Sequence, residues 1–336
     1  MVRSLALAVA YTVAAAVVAC SGSPSAPSDP GGTATANGIQ GQAVDALAGS
    51  GEAGLSVYVG DTPRVTTDRS GNFNANVAAP GTYSTTIAGG GVVERHTTLS
   101  APTSGRARLS LIPATFDLDA FNQMFRGTSA RLERWTSRPS LVIIASILTF
   151  VDGAESFAAT NEQMTDDEVS LLNAQLVEGL SLLTGSTYGA FADVQVERPA
   201  AGQQVLAARL GKIVVGRFVG INSSDGTIGL GRWAEESDGT VDAGMICLSR
   251  DFDKVDSRRR LLRIHELGHA LGYLHVTTRT SIMNPVIGPD PTDFDRAGAI
   301  IAFQRMPGNQ TPDIDPAATT VRSSSSGRPR WSKPLS

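Results

Sequence analysis

The chain has 336 residues, of which 41% are hydrophobic and 18% are charged, and its formal net charge at pH 7 is -4. This length is sufficient for one large hydrophobic core together with a smaller module. The low charge density argues against a nucleic-acid-binding protein, and no basic amphipathic helix indicates a membrane-surface binder, so function is to be sought in a localised site.

The N-terminus, residues 1–19, is predicted to be a bacterial lipoprotein signal peptide. Arg3 provides the positive start, and the apolar run Leu5–Val18 is too short to span a bilayer. The run ends in the sequence VVAC, which resembles a lipobox, so we expect cleavage before Cys20 and lipidation of Cys20. An ordinary signal peptide or a signal anchor is the alternative. The protein is then expected to be secreted and lipid-anchored in the bacterial cell envelope, with Cys247 as a buried thiol.

Residues 20–37 are rich in Ser, Pro and Gly and predict a flexible linker. Residues 38–112 have a period-two pattern divided by turn signals, which predicts a small all-β sandwich. The stretch TTDRSGNFNANVAAPGTYSTTIAGGG resembles the carboxypeptidase regulatory-like, or prealbumin-like, sandwich modules. The resemblance implies an accessory domain without catalysis. The alternating apolar residues form three runs: Leu55, Val57 and Val59; Phe73, Ala75 and Val77; Tyr83, Thr85 and Ile87.

Residues 113–310 mix helical and strand patterns and predict an α+β domain with helices packed on a sheet. Thr165 and Glu168 form a capping-box signature, and apolar residues then recur at helical spacing until Gly185. Residues 116–125 and 294–303 predict further helices, and 141–144 and 213–219 predict strands. The polar residues 311–336 predict a disordered tail. The apolar positions of the long helix are Val169, Leu172, Leu176, Leu180 and Leu183.

The chemistry is concentrated in residues 265–275, HELGHALGYLH, which match the pattern H-E-x-x-H-x-x-G-x-x-H and contain three of the four histidines of the chain. Ser257 is predicted to cap a helix that places His265 and His269 one turn apart on a single face. Gly272 can adopt the left-handed conformation that ends this helix and turns the chain back. His275 then becomes the third metal ligand.

Three neutral imidazoles favour Zn²⁺ and leave one coordination position for water. Glu266 lies next to the first histidine in sequence, so its side chain points away from the ligand axis and can serve as general base. We therefore expect it to take a proton from a zinc-activated water and to pass it to the leaving amine of a peptide bond. The alternative is a closed, non-catalytic zinc site, which would need a fourth protein ligand.

The extended motif and the following sequence Ser281-Ile282-Met283-Asn284-Pro285 resemble the metzincin zinc endopeptidases. The resemblance implies a zincin-like catalytic domain with a mixed sheet and an active-site helix, and it implies that Met283 lies beneath the metal. It also implies that a strand ahead of the active-site helix aligns the substrate, for which Ala243–Leu248 is the candidate. Val276 identifies no subfamily. The absence of a tyrosine in the turn makes a matrixin-like arrangement the closer resemblance, although no matrixin-type cysteine switch is found.

The predicted function is zinc-dependent hydrolysis of peptide bonds in extracytoplasmic proteins, with a protein or peptide as substrate and no nucleic acid as partner. Two alternatives remain open: a zinc amidase that acts on cell-wall peptide, and a surface binding protein whose zinc domain is vestigial. Retention of Glu266 argues against the second. The acidic stretches Asp238–Asp242 and Asp251–Asp256 lack the ligand spacing of a known calcium loop, so we expect solvated loops and helix caps there.

Overall fold

The computed structural model describes residues 37–151, 156–221, 227–317 and 330–331. The predicted signal peptide, Cys20 and all but the last residue of the linker lie outside the described residues. Within the described ranges the chain is a mixed α+β protein with three sheets and five α-helices. None of these helices combines the length and hydropathy of a membrane span.

The N-terminal region forms two sheets that face each other, with alternate residues of each strand turned into a shared core. Ile39 and Phe73 enter this core from one sheet, and Val57 and Ile87 enter it from the other. The period-two prediction is thus confirmed at the level of these strands. The first sheet has the order β4-β1-β7, with β1 Gly38–Asp45, β4 Asn72–Asn76 and β7 Ala107–Leu111; the second has the order β3-β2-β5-β6, with β2 Ser56–Val59, β3 Val65–Thr66, β5 Gly81–Ala88 and β6 Arg95–Ala101.

The third sheet is mixed and has nine strands, in the order β12-β10-β9-β13-β15-β14-β16, with β11 beside β9 and β8 beside β15. Strands β9, β13 and β15 are parallel to one another, and β14 is antiparallel to β15. The strands are β8 Arg134–Trp135, β9 Ser140–Phe150, β10 Ser156–Gln163, β11 Val194–Glu197, β12 Gln204–Leu206, β13 Lys212–Phe218, β14 Gly229–Glu235, β15 Thr240–Ser249 and β16 Arg330–Trp331.

The prediction that Ala243–Leu248 forms an edge strand that aligns the substrate is wrong. These residues belong to β15, which is hydrogen-bonded to β13 on one side and to β14 on the other. A strand that is paired on both sides offers no edge to a peptide. The strand nearer the edge is β14, which precedes β15 in the chain.

Five α-helices pack around this sheet, and three of them match the predicted helices over 116–125, from Thr165 to Gly185 and over 294–303. The long helix α2 begins at the predicted capping box, where the Thr165 hydroxyl accepts from the backbone N–H of Glu168 at 3.2 Å and the Glu168 carboxylate accepts from the backbone N–H of Thr165 at 2.9 Å. Its apolar face packs into the main core with α4, the helix that carries His265 and His269. The helices are α1 Leu118–Phe125, α2 Asp166–Leu183, α3 Arg250–Val255, α4 Arg259–Ala270 and α5 Asp293–Phe303.

The residues just after 310 are ordered, so the predicted start of the disordered tail is too early. Asp313 is fully buried, and both of its carboxylate oxygens accept from Arg305 at 2.7 and 2.8 Å. Asp315 pairs at 2.8 Å with Arg95, which lies on β6 of the N-terminal sandwich. Two buried ion pairs therefore tie this segment to both halves of the molecule, and such pairs hold an otherwise polar segment in place.

A second buried ion network lies behind α4. Asp253 is fully buried and accepts from Arg263 of α4 at 2.6 and 2.8 Å and from Arg217 of β13 at 2.7 Å. The expectation of a solvated loop over 251–256 is therefore wrong for Asp253, because two arginines from other elements match its charge. Through Arg263, the network links α4 to β13 of the sheet.

Candidate metal centre

The N-terminus of α4, the helix that carries the first two histidines of the motif, differs from the prediction in its cap. The helix begins at Arg259 with Arg258 as the N-cap residue, and no side chain caps it. Instead, the Asp256 carboxylate accepts from the backbone N–H of Arg258 at 2.7 Å. The predicted cap at Ser257 is therefore wrong, because the neighbouring carboxylate is the stronger acceptor for this turn.

The C-terminus of α4 forms as predicted, with Gly272 in the left-handed region at a φ of 102°. The N–H of Tyr273 bonds to the carbonyl of Gly268 at 3.0 Å, and the N–H of Gly272 bonds to the carbonyl of His269 at 3.0 Å. These two bonds are the Schellman pattern of a helix end. A Cβ atom at Gly272 would lie 2.7 Å from the carbonyl oxygen of Glu133, so both conformation and space require glycine.

This turn brings the three histidines of the motif together, and we call them the histidine cluster: His265, His269 and His275. The Nε2 atom of His269 lies 3.1 Å from that of His265 and 3.2 Å from that of His275, and the third separation is 3.3 Å. His265 and His269 are buried, and His275 is half-buried. The structure therefore brings together all three predicted ligands at one point.

Backbone carbonyls fix the orientation of two of the rings. The Nδ1 atom of His265 lies 2.7 Å from the carbonyl oxygen of Ile282, and that of His269 lies 2.7 Å from the carbonyl oxygen of Tyr273. A carbonyl can only accept, so each Nδ1 donates, and each neutral ring turns an Nε2 lone pair toward the cluster. Burial lowers the pKa of His265 to about 4 and lowers the pKa of His269 well below its ordinary value, which keeps both rings neutral.

The histidine cluster fits a tetrahedral divalent ion. Nitrogens bound at about 2.0–2.1 Å to one tetrahedral zinc ion lie roughly 3.3–3.4 Å apart, which is close to the separations of the three Nε2 atoms. Three lone pairs that face one another repel unless a cation lies between them, so the donor chemistry also favours an ion. Imidazole donors suit Zn²⁺ among the common metals. Among the described residues these three histidines form the one cluster with metal-binding geometry.

Glu266 lies beside the histidine cluster and is directed by the sheet. Its carboxylate accepts a hydrogen bond from the backbone N–H of Gly231 on β14, and its burial raises its pKa to about 8 in the metal-free protein. The close approach of strand and helix depends on glycine, because a Cβ atom at Gly231 would lie 2.4 Å from the carbonyl oxygen of Glu266 and 2.5 Å from the Cβ of His269. A divalent cation beside this carboxylate would favour its ionised form.

The turn after the third histidine packs against the back of α4. Met283 is fully buried, and its sulfur contacts α4 at Gly268, where an added Cβ would lie 2.4 Å from the sulfur. The buried carboxylate of Asp295 holds the turn by accepting from the Ser281 hydroxyl and from the backbone N–H of Ile282, the latter at 3.1 Å. Asp295 thus also positions the Ile282 carbonyl that orients His265. The sequence analysis missed this residue, although Thr292 and Asp295 form a capping-box pattern.

A cleft of about 430 Å³ opens onto the histidine cluster and Glu266. Its walls come from the start of β14, from α3, from the N-terminus of α4 and from the segment that follows Met283. Tyr273 of the motif does not line it; this ring is fully buried and its hydroxyl donates to the carbonyl of Leu183. The remaining described lining residues are Thr227, Ile228, Gly229, Leu230, Gly231, Phe252, Arg258, Pro285, Val286 and Ile287.

The other end of β14 carries a pair of carboxyl groups. The indole N–H of Trp233 lies 2.8 Å from a carboxylate oxygen of Glu133 and 2.8 Å from one of Glu235. Burial, and then the hydrogen bond and the charge of Glu133, raise the pKa of Glu235 to about 7. Glu235 therefore holds a proton at mildly acidic pH.

Comparison with known proteins adds no assignment. No protein-family model matches the chain, and a search of curated proteins gives no match. The function is therefore argued from the histidine cluster, Glu266 and the cleft.

Proposed function

We propose that the chain is a zinc-dependent endopeptidase with a zincin-like, matrixin-like catalytic region. One observation carries the proposal: three Nε2 atoms converge within 3.1–3.3 Å of one another, and a buried carboxylate, Glu266, lies beside them at the wall of an open cleft. A purely structural zinc site is closed by a fourth protein ligand. Among the described residues no fourth metal-binding side chain joins the histidine cluster.

His265, His269 and His275 would hold the ion, and the open position would face the cleft. Zinc bound there supplies a Lewis acid that polarises a carbonyl and makes water acidic enough to lose a proton near neutral pH. Glu266 accepts that proton on its carboxylate and then donates it to the leaving amine. The backbone N–H of Gly231 holds the carboxylate in position for both transfers.

The substrate would lie along β14. Its first three residues, Gly229–Gly231, line the cleft, and the glycines at 229 and 231 let this strand lie close to α4 and the histidine cluster. β14 is antiparallel to β15 and turns its opposite edge outward; of the described strands only β16 pairs with that edge, at Ala234 and Glu235. Backbone pairing with an edge strand is a common mode of peptide recognition.

The proposed substrate is an extracytoplasmic protein or peptide. This location depends on the predicted signal peptide and on lipidation of Cys20, which lies outside the described residues. Mass spectrometry of the protein purified from a bacterial membrane fraction tests the anchor, since a lipidated Cys20 must be the first residue of the mature chain.

Zinc analysis and a peptide-library digest test the activity. We expect about one zinc per purified chain, cleavage of peptides by the wild type, and a loss of cleavage of at least about 10²–10⁴-fold in Glu266→Gln. This variant should retain zinc because Glu266 is not a ligand, whereas His269→Ala should lose both zinc and activity. Glu94→Gln is the matched control, since Glu94 lies on the sandwich with 51% of its side chain exposed.

Three results would contradict the proposal. The absence of stoichiometric zinc from purified protein would contradict the proposed metal site. Cleavage that is unchanged in Glu266→Gln would remove the assigned base. Release of amino acids from cell-wall peptide, without cleavage of linear peptides, would identify the alternative amidase.

A further inference from the structure

The cleft contains a permanent cation that the proposed chemistry does not use. Of its described lining residues, Arg258 alone has a side chain that is always protonated. Glu266 also lines the cleft, and the other lining residues include the apolar Ile228, Pro285 and Ile287. A permanent cation in such a cleft selects the charge of what binds there.

The Arg258 guanidinium is held in place but remains accessible. Its Cζ atom lies 5.3 Å from the centroid of the Phe252 ring, a stacked arrangement that restricts the planar group. Nε and Nη2 each lie 3.3 Å from an oxygen of Asp256, which is long for a charge-assisted contact. The side chain is 56% exposed, and its Nη1 donates to no described residue.

The position of Arg258 in α4 gives its distance from the site of cleavage. Arg258 precedes His265 by seven residues, which corresponds to about 10 Å along a helix. An extended peptide covers about 3.3 Å per residue, so this distance spans about three residues of a substrate. The guanidinium would therefore meet a group two or three residues from the scissile bond.

We propose that Arg258 is a specificity-determining residue that binds a carboxylate of the substrate two or three residues from the cleaved bond. The inference deepens the proposed function, which fixes where the cleaved bond lies. The preferred substrates are acidic peptides. The carboxylate belongs either to an Asp or Glu side chain or to the C-terminus of a short peptide, because the guanidinium fork accepts both in the same geometry.

Binding to the inactive protein tests this without turnover. The full chain with Glu266→Gln, loaded with zinc, is titrated against fluorescent peptides in matched pairs. One pair differs by Glu against Gln at the second or third position on either side of the central bond, and the other by a free against an amidated C-terminus. The same titrations are made after Arg258→Met, which keeps much of the apolar stem, after Arg258→Glu, and after the control Arg296→Met on the exposed face of α5.

We expect the carboxylate peptide of at least one pair to bind about three- to tenfold more tightly than its neutral partner. Arg258→Met should remove this preference, Arg258→Glu should reverse it, and Arg296→Met should leave it unchanged. The preference should decrease at high ionic strength. The pair that shows it identifies the source of the carboxylate.

Equal binding of both members of every pair would overturn the inference, as would a preference that survives Arg258→Met in protein that still binds zinc. The two proposals fail in different ways. Carboxylate preference without any cleavage by the wild type would remove the endopeptidase and leave Arg258 as a carboxylate-binding residue only. Cleavage of peptides without carboxylate preference would retain the endopeptidase and overturn the role of Arg258.

Discussion

Removal of the Asp295 carboxylate should destabilise the turn that supports the histidine cluster. Asp295 is fully buried and accepts from the backbone N–H and hydroxyl of Thr292 at 2.7 and 2.8 Å, from the N–H of Ile282 at 3.1 Å and from the hydroxyl of Ser281. Asp295→Ala leaves two buried donors of the turn unpaired at about 1–2 kcal/mol each and weakens the N-terminus of α5 by about 1 kcal/mol. We expect the free energy of unfolding to fall by about 3–5 kcal/mol in total.

The same substitution should weaken zinc binding, although Asp295 does not touch the histidine cluster. The carbonyl of Ile282 accepts from His265 at 2.7 Å, so a displaced turn leaves this ring less well oriented. Loss of such outer partners lowers metal affinity by about 10–100-fold. Urea unfolding in the presence of chelator measures the stability, and competition with a chromogenic chelator measures the zinc affinity.

Asp293→Ala is the matched control, since Asp293 lies in the same first turn of α5 with a fully exposed side chain that pairs with Arg296 at 3.2 Å. Its stability should change by no more than about 0.5 kcal/mol. A loss below about 1 kcal/mol in Asp295→Ala, together with unchanged zinc affinity, would refute the argument that this carboxylate supports the site.

The close contact of β14 with α4 gives a further prediction: Gly231→Ala should lower stability by about 1–3 kcal/mol and reduce peptide cleavage, because its Cβ would meet the backbone of Glu266. Gly90→Ala, where no atom lies within 4 Å, should do neither, and urea titration with a peptide assay distinguishes them. The pKa of Glu235 is raised to about 7, so the folded protein binds this proton more tightly than the unfolded chain does. The protonated carboxyl therefore stabilises the fold below about pH 4.5, and this stabilisation is lost as the pH rises through 7. The free energy of unfolding should fall by on the order of 2 kcal/mol between pH 5 and 8, and Glu235→Gln should largely remove this fall. An unchanged fall in that variant would contradict its assignment to Glu235.

The sequence predicted well those features that depend on neighbouring residues, namely the histidine cluster and the helix α2. The spacing of the histidines within one helix, and the left-handed glycine that ends it, are determined by neighbouring residues, so Gly272 and the convergence of His275 with the other rings followed from the sequence. The same holds for α2, whose capping box and apolar period are contained in its own residues.

The failures concern pairings between residues that the sequence pattern does not indicate. Strand order is decided by pairing between segments, so the sequence pattern of Ala243–Leu248 did not reveal that β14 would cover it. Asp253 and Asp313 occur in polar stretches that look solvated, yet each is buried against arginines from elsewhere. Burial of a charge depends on its counter-charge, and one-dimensional hydropathy does not contain that information.

The ion pair between Arg95 and Asp315 limits where the chain can be truncated. Trimming the chain at the end of the sandwich would strip Asp315 of its buried counter-charge and expose the apolar contacts of Ala46 and Ile112 with the main core. A shortened chain made that way should be poorly soluble even though every residue of the histidine cluster is retained. A different sandwich joined to the same C-terminal region would require an arginine at the equivalent place, so the two regions are best engineered as one piece.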